Sequence, residues 1–413
     1  MDLISRHAES LGRDMLGAFP AVVISGARQV GKSTLAGRLV RNIPHLAVTL
    51  DDESTRAAAQ ADSRAFVEQF TESTLVIDEV QRYPELLLAI KASIDRNRRA
   101  GRFLLTGSAD LLNVKGQTDS LAGRAVTLNL RGFSQGELAG RTDDFVAMAA
   151  SGERFTSTTT WARPDYARAL ASGGYPEIQR MPDRMRTVWI DSYIDRILTR
   201  DAVSLPSGGR ASRIRTVLGL LAANQAGELV KSRVAEQARI PANSIDAYLD
   251  VLRSVYLVDL LPPWTPNLTK REVGRPKAFV TDPALALRLT RQTASQLEDL
   301  ASDTIGSHLE AFVAGELLKQ QAWSTEEFTL FHFRDRNGVE VDLVLELGDG
   351  RVIGVEVRAS STYHTEHFKG LRALQDKVGD RFIAGYVLGM GERRFDFAPG
   401  LYGLPVSALW EWH

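Results

Sequence analysis

The stretch Gly26-Ala27-Arg28-Gln29-Val30-Gly31-Lys32-Ser33 decides the fold, because it fits the pattern G-x-x-x-x-G-K-[ST] at every fixed position. It follows Ala21-Val22-Val23-Ile24-Ser25, which reads as a strand buried on both faces. An amphipathic run from Lys32 to about Val40 comes after it. A loop that wraps a triphosphate with backbone N–H groups needs glycine wherever a Cβ would block close approach. At this spacing Lys32 can reach the β and γ oxygens, and the Ser33 hydroxyl can ligate Mg²⁺. The helix opening at Lys32 turns its positive end toward the phosphates, so 26–34, through Thr34, is the expected nucleotide cradle. With only 9 lysines against 41 arginines in 413 residues, a chance match to the full pattern is improbable.

Outward from the loop, short β-rich runs alternate with helical patterns. Residues 46–50, 75–77, 103–106 and 125–130 read as further strands, and Pro84 stands at a favourable first position for a helix reaching about residue 99. This alternation predicts an α/β fold with a parallel sheet covered by helices on both faces. At 413 residues the chain is long enough for two to four domains. Lys+Arg number 50 and Asp+Glu 51, so overall charge pulls toward neither nucleic acid nor membrane. The absence of cysteine excludes disulfides, Cys-ligated zinc, iron–sulfur clusters and thiol catalysis, and fits a cytoplasmic location. The first residues hold no apolar signal region, and no run approaches eighteen apolar residues, so neither export nor a membrane span is expected.

The second nucleotide element is Leu75-Val76-Ile77-Asp78-Glu79, a strand that delivers a carboxylate to its C-terminal edge. Asp78, with Ser33, is expected to hold Mg²⁺, and Glu79 to orient the attacking water. Thr106 and Ser108, at the end of the next strand, either touch the γ-phosphate or that water, or cap the turn that follows. Arg124, in Ser120-Leu121-Ala122-Gly123-Arg124, is either a finger for transition-state charge, in cis or across a subunit interface, or a plain surface arginine.

The segments GARQVGKST, LVIDEVQ, FLLTGSA and SLAGR, followed by GGYPE, resemble a prokaryotic family of AAA-type P-loop ATPases that carry a long C-terminal domain. The resemblance implies the strand order 5-1-4-3-2. It also implies one ATP·Mg surrounded by Asp78, Glu79 and a sensor at Thr106 or Ser108. The residues expected to carry catalysis are thus Lys32, Glu79, Thr106, Ser108 and Arg124, and the resemblance leaves the task of the ATPase open.

Beyond residue 140 the strand signal stops. Residues 142–162, rich in Ser, Thr, Gly and Ala, read as a loosely packed connector, followed by helical patterns to about residue 223. Residues 211–264 then give helix, short helix, turn, helix and strand, a winged-helix pattern. Its second helix, 242–254, carries a net charge of −1, which suits phosphate contact poorly. The neighbouring tract is basic: Arg180, Arg184, Arg186, Arg196, Arg200, Arg210, Arg213 and Arg215 stand against Asp183, Asp191, Asp195 and Asp201. DNA is one expected partner of this region, and a protein surface is the other.

The last third returns to mixed helix and strand, with Asn337-Gly338 and Asp349-Gly350 as hairpin turns and a last strand near 382–389. Glu310 on a helix, Asp342 on a strand, and Glu356 with Arg358 on the next strand resemble the PD-(D/E)xK nuclease fold, in which such carboxylates bind Mg²⁺. The family lysine is replaced by Arg358, which cannot lose its proton and can instead pair with Glu356 or Asp342 in place of a metal. From residue 303 onward eleven basic residues face seventeen acidic ones, which disfavours unassisted nucleic-acid docking.

The expected organisation is therefore an ATPase domain over 1–140, a connector and helical lid over 141–208, a winged helix over 209–275 and a nuclease-like domain over 276–413. The expected function is an ATP-hydrolysing switch or motor coupled to a DNA or protein partner, self-associating if Arg124 works in trans. The alternatives are an ATP-gated, Mg²⁺-dependent endonuclease and a DNA-binding regulator.

Overall fold

The computed structural model describes residues 3–107, 121–201, 211–266, 271, 274–300 and 304–412. The chain divides into two compact units, Met1–Phe133 with Ser254–Tyr256, and Ser134–Arg253 with Leu257–His413.

In the first unit five strands, β1 (Ala21–Ser25), β2 (His45–Thr49), β3 (Thr74–Asp78), β4 (Phe103–Gly107) and β5 (Ala125–Asn129), form one sheet in the order β2-β3-β4-β1-β5. Read from its other edge this is 5-1-4-3-2, the arrangement of a P-loop nucleotide-hydrolase fold, and every pairing is parallel. The central strands lie between helices on both sides, which is why β1 and β4 are buried along their whole length and consist of apolar or small residues. Ile77, Leu105, Val23 and Ile90 lie in the core on one face of the sheet.

In the second unit, β6 (Gly227–Glu228), β7 (Val258–Leu261) and β8 (Lys277–Val280) form a small antiparallel sheet in the order β6-β8-β7. The helices Ala211–Ala223, Lys231–Gln237 and Ile245–Ser254 are interleaved with these strands. A larger sheet comprises β9 (Phe328–Arg334), β10 (Glu340–Leu347), β11 (Val352–Val357), β12 (Phe382–Gly389), β13 (Phe395–Ala398) and β14 (Leu401–Pro405), ordered β13-β14-β12-β11-β10-β9. The hairpin turns from β9 to β10 and from β10 to β11 carry Gly338 at φ +79° and Gly350 at φ +85°, which only glycine adopts freely. The expected last strand, β12, is not the end of the sheet. The chain adds β13 and β14, and β14 pairs parallel with β12.

The helix Ile305–Gln320 is buried nearly all round, and its polar groups serve as internal joints. Glu316 accepts the Gln135 N–H at 2.8 Å and pairs with Lys319 at 2.5 Å, while Gln320 accepts the Phe145 N–H at 3.0 Å and donates to the Leu409 carbonyl at 2.8 Å. Residues 142–162 are therefore not a loose connector. Phe145, Val146, Ala149 and Phe155 are buried in the same core as Trp410 and Trp412, and their small polar neighbours only disguise them in composition.

The Gly173-Gly174-Tyr175-Pro176 turn has a packing reason. Asp282 caps the helix Pro283–Leu289 and also accepts the Gly174 N–H at 2.7 Å. A Cβ on Gly173 would lie 2.4 Å from an Asp282 carboxylate oxygen, at φ +62°. Gly173→Ala is therefore expected to destabilise the protein by about 2–4 kcal/mol, measured as a shift of the denaturant midpoint at constant slope.

Candidate functional site

The first site is built at the C-terminal ends of β1, β3 and β4, where parallel packing brings three chain exits together. The loop after β1 takes positive φ at Gly26 (154°), Gln29 (63°) and Gly31 (97°), the last of these preceding the helix Lys32–Val40. Gly26 is required by proximity to β5, since a Cβ there would lie 2.1 Å from the Leu130 carbonyl oxygen. Lys32 curls over its own loop, donating to the Gly26 carbonyl at 3.0 Å and the Ala27 carbonyl at 2.8 Å. Burial lowers its pKa to about 8, partly offset by the charge of Glu79, while the Arg28 cation lowers it further. An ammonium in that state is stabilised by an incoming anion. Gln29, Ser33 and Thr34 are exposed along the loop and first helical turn, whereas Ala27 and Val30 are buried beneath it.

Asp78 ends β3, and its Oδ1 accepts the Ser33 hydroxyl at 2.8 Å and the Thr106 hydroxyl from β4. Glu79 follows at φ 56°, a conformation that costs a non-glycine residue energy and turns its side chain out of the strand direction. Its N–H donates to Thr106 Oγ1 at 3.3 Å, and its carboxylate accepts from the Gln81 amide. Thr106, fully buried, thus braces both acidic residues. Ser108 lies outside the described residues. Arg124 is brought to Asp95 on the helix Leu86–Arg96, with Nε to Oδ1 at 2.6 Å and Nη2 to Oδ2 at 3.0 Å. That pairing holds the Asp95 carboxyl below its usual range.

The second site lies within the second unit, around a cavity of about 560 Å³. Glu310, Asp342, Glu356 and Arg358 all line it, as does Lys277, which pattern reading passed over inside an apolar strand. Lys277 Nζ lies 2.7 Å from Glu310, 2.6 Å from Glu340 and 3.5 Å from Asp342. Arg358 pairs with Glu356 and approaches Asp342 at 3.5 Å. Asp342 also accepts the Val357 N–H at 2.9 Å, and Glu356 the Asp342 N–H at 3.3 Å. A register shift in β10 between Val341 and Val344 lies at Asp342. Burial and the Asp342 charge push Glu310 up to about 8 against the opposing pull of Lys277. Burial acts against the Lys277 charge, but Glu310, Asp342 and Glu340 together raise its pKa. Among the described residues no group of three or more His, Cys, Asp or Glu is arranged to hold a metal ion.

Of the basic tract, Arg186 pairs with Asp183 at 3.0 Å, Arg215 pairs with Asp195, and Asp191 is held by Arg288 at 2.5 Å. Arg180, Arg184, Arg196 and Arg213 are exposed, and Arg210 lies outside the described residues. No helix among the described residues is long and apolar enough to cross a membrane.

Comparison with known proteins fits this division. Residues 18–139 match the family described as an AAA domain, and residues 163–296 and 305–409 match two families each described as a domain of unknown function. Uncharacterized proteins of Mycobacterium bovis and Mycobacterium tuberculosis are each 26% identical over 405 residues, 98% of this chain and 84% of theirs. Among solved structures, a Walker-type ATPase of Pyrococcus abyssi is similar at 14% identity and TM-score 0.39, over 70% of this chain and 96% of that one. AMPPCP-bound DnaA from Aquifex aeolicus is similar at 11% identity and TM-score 0.29, over 60% and 85%. The family match over 18–139, with the sheet order and the loop, supports an AAA-type ATPase domain.

The carboxylate cluster makes stability depend on pH. The native state keeps a proton on Glu310 up to about pH 8, whereas the unfolded chain releases it near 4.5, so this group's contribution falls as pH rises between those values. Buried His308 and His332, both pushed down to about 4 from 6.5, act in the opposite sense below pH 6.5. The decline is therefore expected between pH 6.5 and 8, with Glu356, also pushed up by burial and the Asp342 charge, adding to it, and Glu310→Gln should lessen it in thermal melts. Lys277→Met, which leaves several carboxylates without their cation, should cost about 3–5 kcal/mol by denaturant titration.

Proposed function

We propose that this chain is an ATP-binding and ATP-hydrolysing switch that couples nucleotide state to a DNA or protein partner. The observation that carries the reading is the joining of Ser33, Asp78 and Thr106 beside a loop whose buried lysine has a lowered pKa. In this reading the amides of residues 26–34 hold the phosphates, and Lys32 exchanges the Gly26 and Ala27 carbonyls for phosphate oxygens. Ser33 and Asp78 present a hydroxyl and a carboxylate side by side, a hard-oxygen pair that suits Mg²⁺. The ion would neutralise phosphate charge when bound. Glu79 orients the attacking water, and Thr106 keeps Asp78 and the Glu79 backbone aligned. Arg124 precedes β5 at the end of the parallel sheet opposite the loop, so a finger role for it requires a second copy of the chain, where phosphate must displace Asp95.

A DNA partner is favoured by one feature of the second unit. The order helix, β6, helix, helix, β7, β8 is that of a winged helix, and the exposed Arg180, Arg184, Arg196 and Arg213 belong to helices or turns beside it. The helix Ile245–Ser254 is not itself suited to phosphate, because its Asp246 is tied to Lys231 at 2.6 Å and Asp250 is exposed. Metal-dependent cleavage is the weaker alternative. The helix, three strands, helix and strand over 305–389 support a nuclease-like fold, but Lys277 and Arg358 already neutralise the carboxylates a metal would need.

Two measurements test these readings. Lys32→Ala should abolish ATP turnover, and Glu79→Gln should keep ATP binding while slowing hydrolysis about a hundredfold or more; persistent turnover in Lys32→Ala would falsify the first reading. For DNA, duplex binding followed by anisotropy should weaken steeply with salt, with a log–log slope of about −3.6 for four phosphate contacts. Replacing Arg184, Arg196 and Arg213 by Glu should remove it, and absence of binding by the natural chain at low salt rules the DNA partner out.

A further inference from the structure

Arg6 precedes the first helix (Ala8–Ala18), and it is only 8% exposed. Its Nη1 donates to the Val30 carbonyl at 2.9 Å, and its Nη2 donates to the Arg131 carbonyl at 2.7 Å. The guanidinium carbon lies 4.8 Å from the centre of the Phe133 ring. One planar cation therefore ties the middle of the nucleotide loop to the chain leaving β5, with an aromatic face supporting it.

The Val30 carbonyl shares a peptide plane with the Gly31 N–H, and in a trans peptide these two groups point in opposite directions. Fixing the carbonyl on Arg6 therefore turns the Gly31 N–H away from Arg6. The restraint acts beside Gln29, strained at φ 63°, and Gly31, whose φ of 97° glycine adopts freely. A loop free to rotate that peptide would have to reorder it on binding, at an entropic cost that weakens affinity. Arg6 also places a fixed positive charge under the loop, with Nη1 3.9 Å from where a Gly31 Cβ would sit.

We infer that Arg6 is a positioning residue for nucleotide binding, holding the loop amides ready for a nucleoside triphosphate from behind the loop. The inference rests on the reading of residues 26–34 as the triphosphate site. It predicts an effect on ground-state binding rather than on the chemical step, because the loop is set before the phosphates arrive.

The test uses the full chain, with ATP·Mg affinity measured by calorimetry, steady-state turnover, and the melting temperature without nucleotide. Arg6→Ala should weaken ATP binding about tenfold, the scale of one or two lost charge-assisted hydrogen bonds. KM should rise by a similar factor while kcat stays within about threefold. Arg6→Lys, which can reach one carbonyl at a time, should recover part of the affinity. If Arg6→Ala does not fold, Arg6→Gln, with one amide donor, gives the same comparison. Unchanged affinity and KM in the variant overturn this inference alone, even if its melting temperature falls, since the residue would then serve stability only. Failure of the natural chain to bind ATP overturns the triphosphate reading and this inference together.

Discussion

The structure turns on how a carboxylate at the end of one buried strand meets a hydroxyl at the start of a helix. Asp78 and Ser33 are 45 residues apart, and only parallel pairing of β3, β4 and β1 brings them within 2.8 Å. Thr106 makes the arrangement a three-strand device, because its hydroxyl is fixed on β4 between the other two. The backbone accepts strain to complete it, at Gln29 and Glu79. Such conformations persist only where surrounding contacts over-determine them. Here the contacts are the Lys32 bonds to its own loop, the Thr106 brace, the Gln81 amide and the close approach of Leu130 to Gly26.

Much of the first unit was legible in the sequence, since its strands are short apolar runs and its loop carries a spaced glycine–lysine pattern. Strand ends fall within a residue or two of expectation because turn chemistry marks them. Pattern reading could not see what depends on distant approach. Gly26 looks like a phosphate-facing glycine, yet the atom that forbids a side chain there belongs to Leu130, more than a hundred positions later. Arg6 carries no motif, and it becomes meaningful only through the carbonyls of Val30 and Arg131. Arg124, expected either as a finger or as a plain surface arginine, lies in an exposed pair with Asp95, a partner its motif does not reveal.

The second unit was less legible for a related reason. Glu310, Asp342, Glu356 and Arg358 were expected together, and they do line one cavity. Lys277 escaped notice because it stands at the head of β8, followed by Ala278, Phe279 and Val280, where composition suggests only a buried strand. Likewise Phe145 and Phe155 are separated by small and polar residues, so a window average hides two aromatic anchors. In both places one large or charged side chain outweighs its neighbours, and composition dilutes it.

The two charged sites are opposite in character, and this separates their roles. At the loop, desolvation outweighs the nearby carboxylates and Lys32 is left with a lowered pKa, so a further negative group stabilises it. At the cavity, the carboxylates outweigh desolvation of Lys277 and raise its pKa, while Glu310 retains a proton into the neutral range. The lysine there already has its anions, and a divalent cation would have to displace it along with the Arg358 pairing. A site short of negative charge is ready to bind a polyphosphate. At the cavity the carboxylates are shared between two cations, and the Lys277 pairs join β8 to β10 and to the helix Ile305–Gln320.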